Sequence, residues 1–226
     1  MKTLDRLRGR LIVSVQAWSG SAIDDPLVLA AMADAAQRNG AAGVRMQGAA
    51  NLRAARARLR VPMIGLIKME YPGYAPYITP TVETAREVAA CGVEIVAIDA
   101  TVRPRPDGST VEALVAAIHD AGCIAMADCA GVGDALAALA AGAEIVATTL
   151  YGYTDETAGA PLPALALTGE LAELDGFVVA EGGVHRPSDL AAAFDAGADA
   201  VVVGTAITNT DWLVGEFAAR APKGPR

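Results

Sequence analysis

Lysine is nearly absent from this chain: three stand against fifteen arginines in 226 residues, and two of the three, Lys2 and Lys223, lie within a few residues of a terminus. Histidine is scarcer, with His119 and His185 alone, which is too few for a multi-histidine metal site, and no HExxH pattern occurs. The three cysteines, Cys91, Cys123 and Cys129, are an odd number with no CxxC pair, and each falls in or beside an alanine-rich or strand-like segment. They read as reduced core residues rather than as a disulfide or zinc framework. Positive charge is also in deficit: 18 Lys+Arg against 26 Asp+Glu leave a net charge of −8, which repels nucleic acid and anionic membrane. Long apolar runs are missing, since the longest are strand-length or are alanine-rich stretches broken by Asp, Glu or Arg, and residues 1–6 lack the apolar core of a signal peptide. The expected location is the cytoplasm, with neither a membrane nor a nucleic acid as partner. An anionic small molecule would have to be held by local positive groups and backbone N–H donors.

Apolar residues, by contrast, make up 53% of the chain and charged ones only 19%, ample for a sizeable core. Against that background Lys68 is conspicuous as the one lysine in the body of the sequence. It follows the apolar run Met63-Ile64-Gly65-Leu66-Ile67 and precedes the loop Met69-Glu70-Tyr71-Pro72-Gly73, so it reads as the last residue of a buried strand. Burial disfavours an ammonium and brings its pKa toward neutrality, which suits a general base or a Schiff-base amine. The competing reading is a snorkelling or salt-bridged lysine at a strand end.

One grammar repeats along the chain: an alanine-rich helix, a glycine, a β-branched strand, and a polar residue at the strand end. Gly40, Gly92, Gly122, Gly142 and Gly197 each precede such a strand, and the almost wholly apolar runs that follow match a parallel sheet covered on both faces. With Leu11 to Gln16, Met63 to Lys68 and Phe177 to Glu181 the count reaches eight strands. Helices are expected at about residues 27–39, 50–59, 81–91, 110–121, 132–141, 162–173, 187–196 and 211–220, several opened by Asp, Ser, Thr or Pro. Eight alternating βα units predict a closed (β/α)8 TIM barrel forming one domain over residues 1–226, with an open doubly wound sheet as the alternative.

In such barrels the active site is built where the strands end. The strand-terminal residues are Gln16, Arg45, Lys68, Asp99, Asp128, Thr149, Glu181 and Gly204, and an ordinary core would not place a charged or amide group at nearly every such position. Asp99 and Asp128 each have a structural reading, as orienters of a lysine or acceptors of backbone N–H bonds. After strands seven and eight, Glu181-Gly182-Gly183 and Gly204-Thr205 supply small residues where barrels commonly hold a phosphate through backbone N–H groups. A phosphorylated small metabolite is the physical inference.

Ordered blocks of the sequence resemble the N-acetylmannosamine-6-phosphate 2-epimerases of sialic acid catabolism. They are Ser14-Val15-Gln16-Ala17, Gly43-Val44-Arg45, Ile64-Gly65-Leu66-Ile67-Lys68, Tyr77-Ile78-Thr79-Pro80-Thr81, Ile98-Asp99-Ala100-Thr101 and Arg103-Pro104-Arg105-Pro106-Asp107-Gly108. They continue through Met126-Ala127-Asp128-Cys129, Thr148-Thr149-Leu150-Tyr151-Gly152-Tyr153-Thr154, Ala180-Glu181-Gly182 and Val201 to Thr208, and so cover nearly the whole chain. The resemblance implies a barrel of the ribulose-phosphate-binding type and a metal-free, cofactor-independent inversion at C2 of an N-acyl-hexosamine 6-phosphate. It implies Lys68 as the proton-transferring residue with Glu181 beside it. Gln16, Arg45 and Asp128 would contact the sugar or its neighbours, with Thr149 and Tyr153 as further substrate contacts; Gly182, Gly183, Gly204 and Thr205 would contact the phosphate, and the protein would pair as a homodimer.

The chain departs from the family's usual pattern at Gly183 and Met69, where arginine is common, at Thr205, where glycine is common, at Gln47, where an acid is frequent, and at Val15, where cysteine is frequent. Arg186 is near enough in sequence to replace a lost cation at the phosphate end. Alternatives are an epimerase of a different or unphosphorylated amino sugar, a Schiff-base aldolase or lyase, and an inactive sugar-phosphate-binding barrel. Trp18 and Tyr71 to Tyr77 read as a lid or as local packing. Trp212, Leu213 and Phe217 read as a dimer face or as cover for the barrel wall.

Overall fold

The computed structural model describes residues 2–222, so Met1, Lys223 and the last three residues of the predicted 1–226 domain lie outside it. Eight parallel strands close on themselves in chain order: β1 (Arg10–Val15), β2 (Gly43–Gln47), β3 (Met63–Leu66), β4 (Ile95–Asp99), β5 (Ile124–Asp128), β6 (Ile145–Ala147), β7 (Phe177–Glu181) and β8 (Ala200–Val203). The pairing of β1 with β8, Leu11 opposite Val201 and Val13 opposite Val203, closes the sheet and rules out the open alternative.

Side chains alternate between two apolar layers, as a pleated strand requires. Val13, Val44, Val96, Ala125, Val146 and Val178 point outward against the helices. Ile12, Ile64, Leu66, Ile95, Met126, Ile145, Phe177, Val179 and Val202 fill the barrel. Continuing the inward set by two residues at each strand reaches Ser14 and Gln16, Arg45 and Gln47, Lys68, Asp99, Asp128, Thr149, Glu181 and Gly204. The same periodicity that packs the core thus delivers a polar layer at the C-terminal mouth.

The outer helices are α2 (Pro26–Arg38), α3 (Ala49–Arg56), α4 (Val82–Ala89), α5 (Val111–Asp120), α6 (Val132–Ala140), α7 (Leu165–Ala172), α8 (Pro187–Asp195) and α10 (Thr210–Ala218). Asp25 caps α2 with both the Leu27 and Val28 N–H groups donating to its carboxylate, and Thr81 and Thr84 cap α4 reciprocally. The helix expected from residue 162 begins at Leu165, because Leu162 precedes Pro163 and such a residue is kept out of the α region. Two short helices were not expected: α1 (Thr3–Leu7) and α9 (Thr205–Thr208). The first inserts fully buried Leu7 into the barrel's interior cluster, plugging the end opposite the site.

Strand ends differ from expectation at four positions: Gln16, Lys68, Thr149 and Gly204 all lie past the ladder. At β3 the cause is an inserted segment. β3 and β4 pair only at Ile64 with Ile95 and Gly65 with Val96. Beyond that point residues 77–79 run between them: Met69 N donates to Tyr77 O at 2.9 Å, Thr79 N to Ile67 O at 2.7 Å, and Asp99 N to Ile78 O at 2.9 Å. Lys68 and Ile78 form an antiparallel bridge. Fully buried Thr79 adopts φ +43°, a conformation a β-branched residue avoids unless its surroundings enforce it.

Candidate active site

A cavity of about 710 Å³ occupies the mouth, lined by Ser14 of β1 and Gln16 just past it, by Arg45 and Gln47 of β2, and by Lys68, Tyr77, Thr149, Tyr153 and Glu181. The loops after β7 and β8 complete it with Gly182, Gly183, Val184, His185, Gly204, Thr205, Thr208 and Asn209.

Its floor is an ionic cluster. The Arg45 guanidinium is 1% exposed and forks onto Asp128, Nη1 donating to Oδ1 at 3.0 Å and Nη2 to Oδ2 at 2.6 Å. The same Nη1 stands 2.8 Å from Glu181 Oε2. The Thr149 hydroxyl donates to Asp128 Oδ1 at 2.6 Å and stands 3.2 Å from Glu181 Oε2. A buried guanidinium held by two carboxylates is retained as a cation, and its pKa is raised by them against the opposing effect of burial. Asp128 is fully buried behind Arg45 and outside the cavity lining.

Lys68 stands over this floor. Its side chain is open to solvent through the mouth, not buried as the sequence suggested, yet protein mass surrounds enough of it to lower its pKa. Desolvation is the main cause, with the Arg45 charge second; Glu181 and Asp128 oppose both. Glu181 is pushed the other way, its pKa raised first by burial and then by Asp128, while Arg45, Thr149 and Lys68 pull it down. An amine moved down and a carboxyl moved up in one cavity have environments that draw their proton affinities toward each other, the arrangement of an acid–base pair.

Gln16 donates through Nε2 to Ser14 Oγ at 2.8 Å, and its Oε1 is buried without a partner. The Arg45 Nε is likewise unpartnered. Unsatisfied polar atoms bordering a cavity point to a ligand or ordered water. The Thr148 hydroxyl bridges past the short β6 ladder, accepting from Glu181 N at 3.0 Å and donating to Glu181 O at 2.9 Å, which fixes the backbone that aims Glu181.

Other candidates have structural duties. Asp99 is fully buried and accepts from Thr101 N at 2.9 Å, Thr101 Oγ1 at 2.6 Å and Arg103 Nη2 at 2.8 Å. Arg105 Nη2 donates to Asp99 O at 2.5 Å and Thr101 O at 3.0 Å, so the Arg-Pro-Arg-Pro segment is a stapled loop that does not reach the cavity. Gly182 and Gly183 both have positive φ, +106° and +70°. A Cβ on Gly183 would fall 2.3 Å from Leu162 Cβ, so Leu162 fills the space a longer residue there would need. Arg186 lies outside the lining. Trp212 stacks on His185, ring centroids 5.1 Å apart at 26°, while Phe217 is 77% exposed.

Ser14, His185 and Asn209 line the cavity without having been singled out as site residues from sequence, and Trp18 and Tyr77, offered only as lid or packing residues, line it too. Period-two alternation from Ile12 could have found Ser14. The sequence offered Tyr77 only as the end of a lid or locally packed segment; it reaches the cavity through the residues inserted between β3 and β4. Burial raises its phenol's pKa, keeping it a proton donor.

Residues 29–222 match the family model described as "Putative N-acetylmannosamine-6-phosphate epimerase". The chain belongs to this epimerase family. A Klebsiella pneumoniae subsp. pneumoniae member bearing the 2-epimerase name is 46% identical over 212 residues, covering 94% of this chain and 89% of its own. A Thermosynechococcus vestitus member is 44% identical over 221 residues, covering 97% and 96%. The solved N-acetylmannosamine-6-phosphate 2-epimerase from Clostridium perfringens superposes with a TM-score of 0.94 at 36% identity, covering 98% of this chain and 97% of that one. Family membership and barrel agree with the sequence expectation.

Proposed function

We propose that this chain interconverts N-acetylmannosamine 6-phosphate and N-acetylglucosamine 6-phosphate, an isomerisation at C2 carried out in one barrel without a cofactor. The observation that carries the reading is Lys68: a single amine in the cavity, lowered in pKa, in no ion pair among the described residues, beside a carboxyl raised in pKa. In the open-chain sugar C2 bears a hydrogen next to the C1 carbonyl. Lys68 takes that proton, the C–H electrons move into the carbonyl to give an enolate, and a proton returned to the opposite face inverts the centre. Glu181, aimed by Thr148 and tied through Oε2 to Arg45 and Thr149, orients a substrate hydroxyl or supplies the second proton. Tyr77 and Gln16 offer hydrogen bonds to the sugar and its developing oxyanion. Asp128 positions Arg45. Gly182, Gly183, Gly204 and Thr205 border the end where the phosphate sits, and Tyr153, 60% exposed, borders the entrance.

The family relationship and the single lysine agree, and a direct assay separates the alternatives. Purified protein incubated with N-acetylmannosamine 6-phosphate is expected to yield the glucosamine epimer by proton NMR, and borohydride added during turnover is expected to leave Lys68 unmodified. A borohydride-trapped adduct with carbon–carbon cleavage would establish a Schiff-base lyase instead.

The protein is proposed to be cytoplasmic and to pair with a second copy. Among the described residues no helix is long and apolar enough to cross a membrane, and the three cysteines are free and buried. Helix α10 buries none of its residues and exposes Val214 at 62% and Phe217 at 77%, three positions apart on one face.

A further inference from the structure

We propose that His185 is a specificity-determining residue that contacts the terminal phosphate of the substrate; this rests on the epimerase reading above. Only Arg45, Lys68 and His185 among the cavity-lining residues can carry positive charge. Arg45 is committed to Asp128 and Glu181 at the floor, and Lys68 is needed at the reacting carbon. The other residues lining the end bounded by the loops after β7 and β8, among them Gly182, Gly183, Gly204, Thr205 and Asn209, are all uncharged. A phosphate there meets backbone N–H groups, a hydroxyl, an amide and one imidazole.

That imidazole is held in place. Its main chain is fixed where the N–H groups of His185 and Arg186 donate to Asp189 Oδ2 at 3.0 and 2.9 Å. Its ring is fixed by the Trp212 stack, and Trp212 in turn donates its backbone N–H to Asn209 Oδ1 at 2.9 Å, the Asn209 amide N–H₂ having no partner among the described residues. Neither His185 ring nitrogen has a partner among the described residues, whereas the chain's other histidine, His119, lies beside Glu144 at 3.1 Å and is not part of the cavity lining. An imidazole offers one N–H donor when neutral and two when protonated, so it can serve a phosphate in either state. Leu162 pressed on Gly183 closes the nearest position from which a longer cationic side chain could do the same work.

The two histidines make the test direct. Ring-proton NMR of the intact protein is recorded during titration with inorganic phosphate, then with N-acetylmannosamine 6-phosphate and with N-acetylmannosamine, signals being assigned with His185→Gln. The His185 signals are expected to move saturably with both phosphates and to stay put with the free sugar, while those of His119 do not move. In kinetics, His185→Gln is expected to raise KM for the phosphorylated sugar about tenfold, the loss of roughly one charge-assisted hydrogen bond, with kcat kept within about twofold. His185→Arg is expected to recover most of that loss. Static His185 signals, equal movement of both histidines, or a fall in kcat at unchanged KM would overturn the assignment. Absence of conversion by the unmodified protein would refute the epimerase reading, and the phosphate titration would still decide the contact.

Discussion

At the scale of single residues the chemistry depends on how one guanidinium divides its charge. Arg45 satisfies Asp128 with both Nη atoms and Glu181 with one, which stabilises the carboxylates below Lys68 while its own charge pushes the amine toward neutrality. A base must be unprotonated to act, so kcat/KM is expected to rise with pH along a limb set by Lys68 and to level off below the ordinary lysine value of about 10.4. Glu181 favours the ammonium, so Glu181→Gln removes that support and is expected to shift the limb of its residual activity to lower pH. A pH profile of both proteins checks this; a limb at the ordinary lysine value, or one displaced upward in Glu181→Gln, would count against Lys68 as base.

Among the elements, the loops rather than the strands hold what this chain does differently. Gly183 sits at φ +70° with the place of its missing Cβ only 2.3 Å from Leu162 Cβ, so Gly183→Ala combines a backbone penalty with overpacking. It is expected to lower stability by about 2–3 kcal/mol in urea unfolding; a change within about 0.5 kcal/mol would show that the loops separate readily. The strands were legible because inward and outward positions alternate, and once the apolar run Met63 to Ile67 is placed, Lys68 must face in. The inserted residues 77–79 were not legible: their hydrogen bonds go to Ile67, Met69 and Asp99, and Thr79 takes a backbone conformation that its residue type does not favour. Nor was the Arg45–Asp128 fork, which joins residues 83 apart. Sequence offered each as a contact to the sugar or its neighbours, and Asp128 also as a structural carboxylate, but not the pairing of the two with each other.

For the molecule as a whole, barrel closure is what turns eight separate strand ends into one cavity, and the plug of α1 with Leu7 seals the far end so that the polar layer opens on one side only. Pairing through the exposed face of α10 would cover Phe217 without touching the floor of the site. Sedimentation equilibrium is expected to give a dimer mass that falls toward the monomer in Phe217→Glu, with a monomer for the unmodified chain contradicting the proposed face. The central claim is that Lys68 moves the C2 proton, and the measurement that meets it most directly is isomerisation in deuterated water followed by proton NMR. Because Lys68 is open to solvent through the mouth, a proton it takes exchanges there. The predicted result is an epimer carrying deuterium at C2, with conversion and deuterium uptake both falling about 10²–10⁴-fold in Lys68→Met. An epimer that keeps its original C2 proton throughout, or a Lys68→Met protein that still exchanges it at the normal rate, would contradict the account.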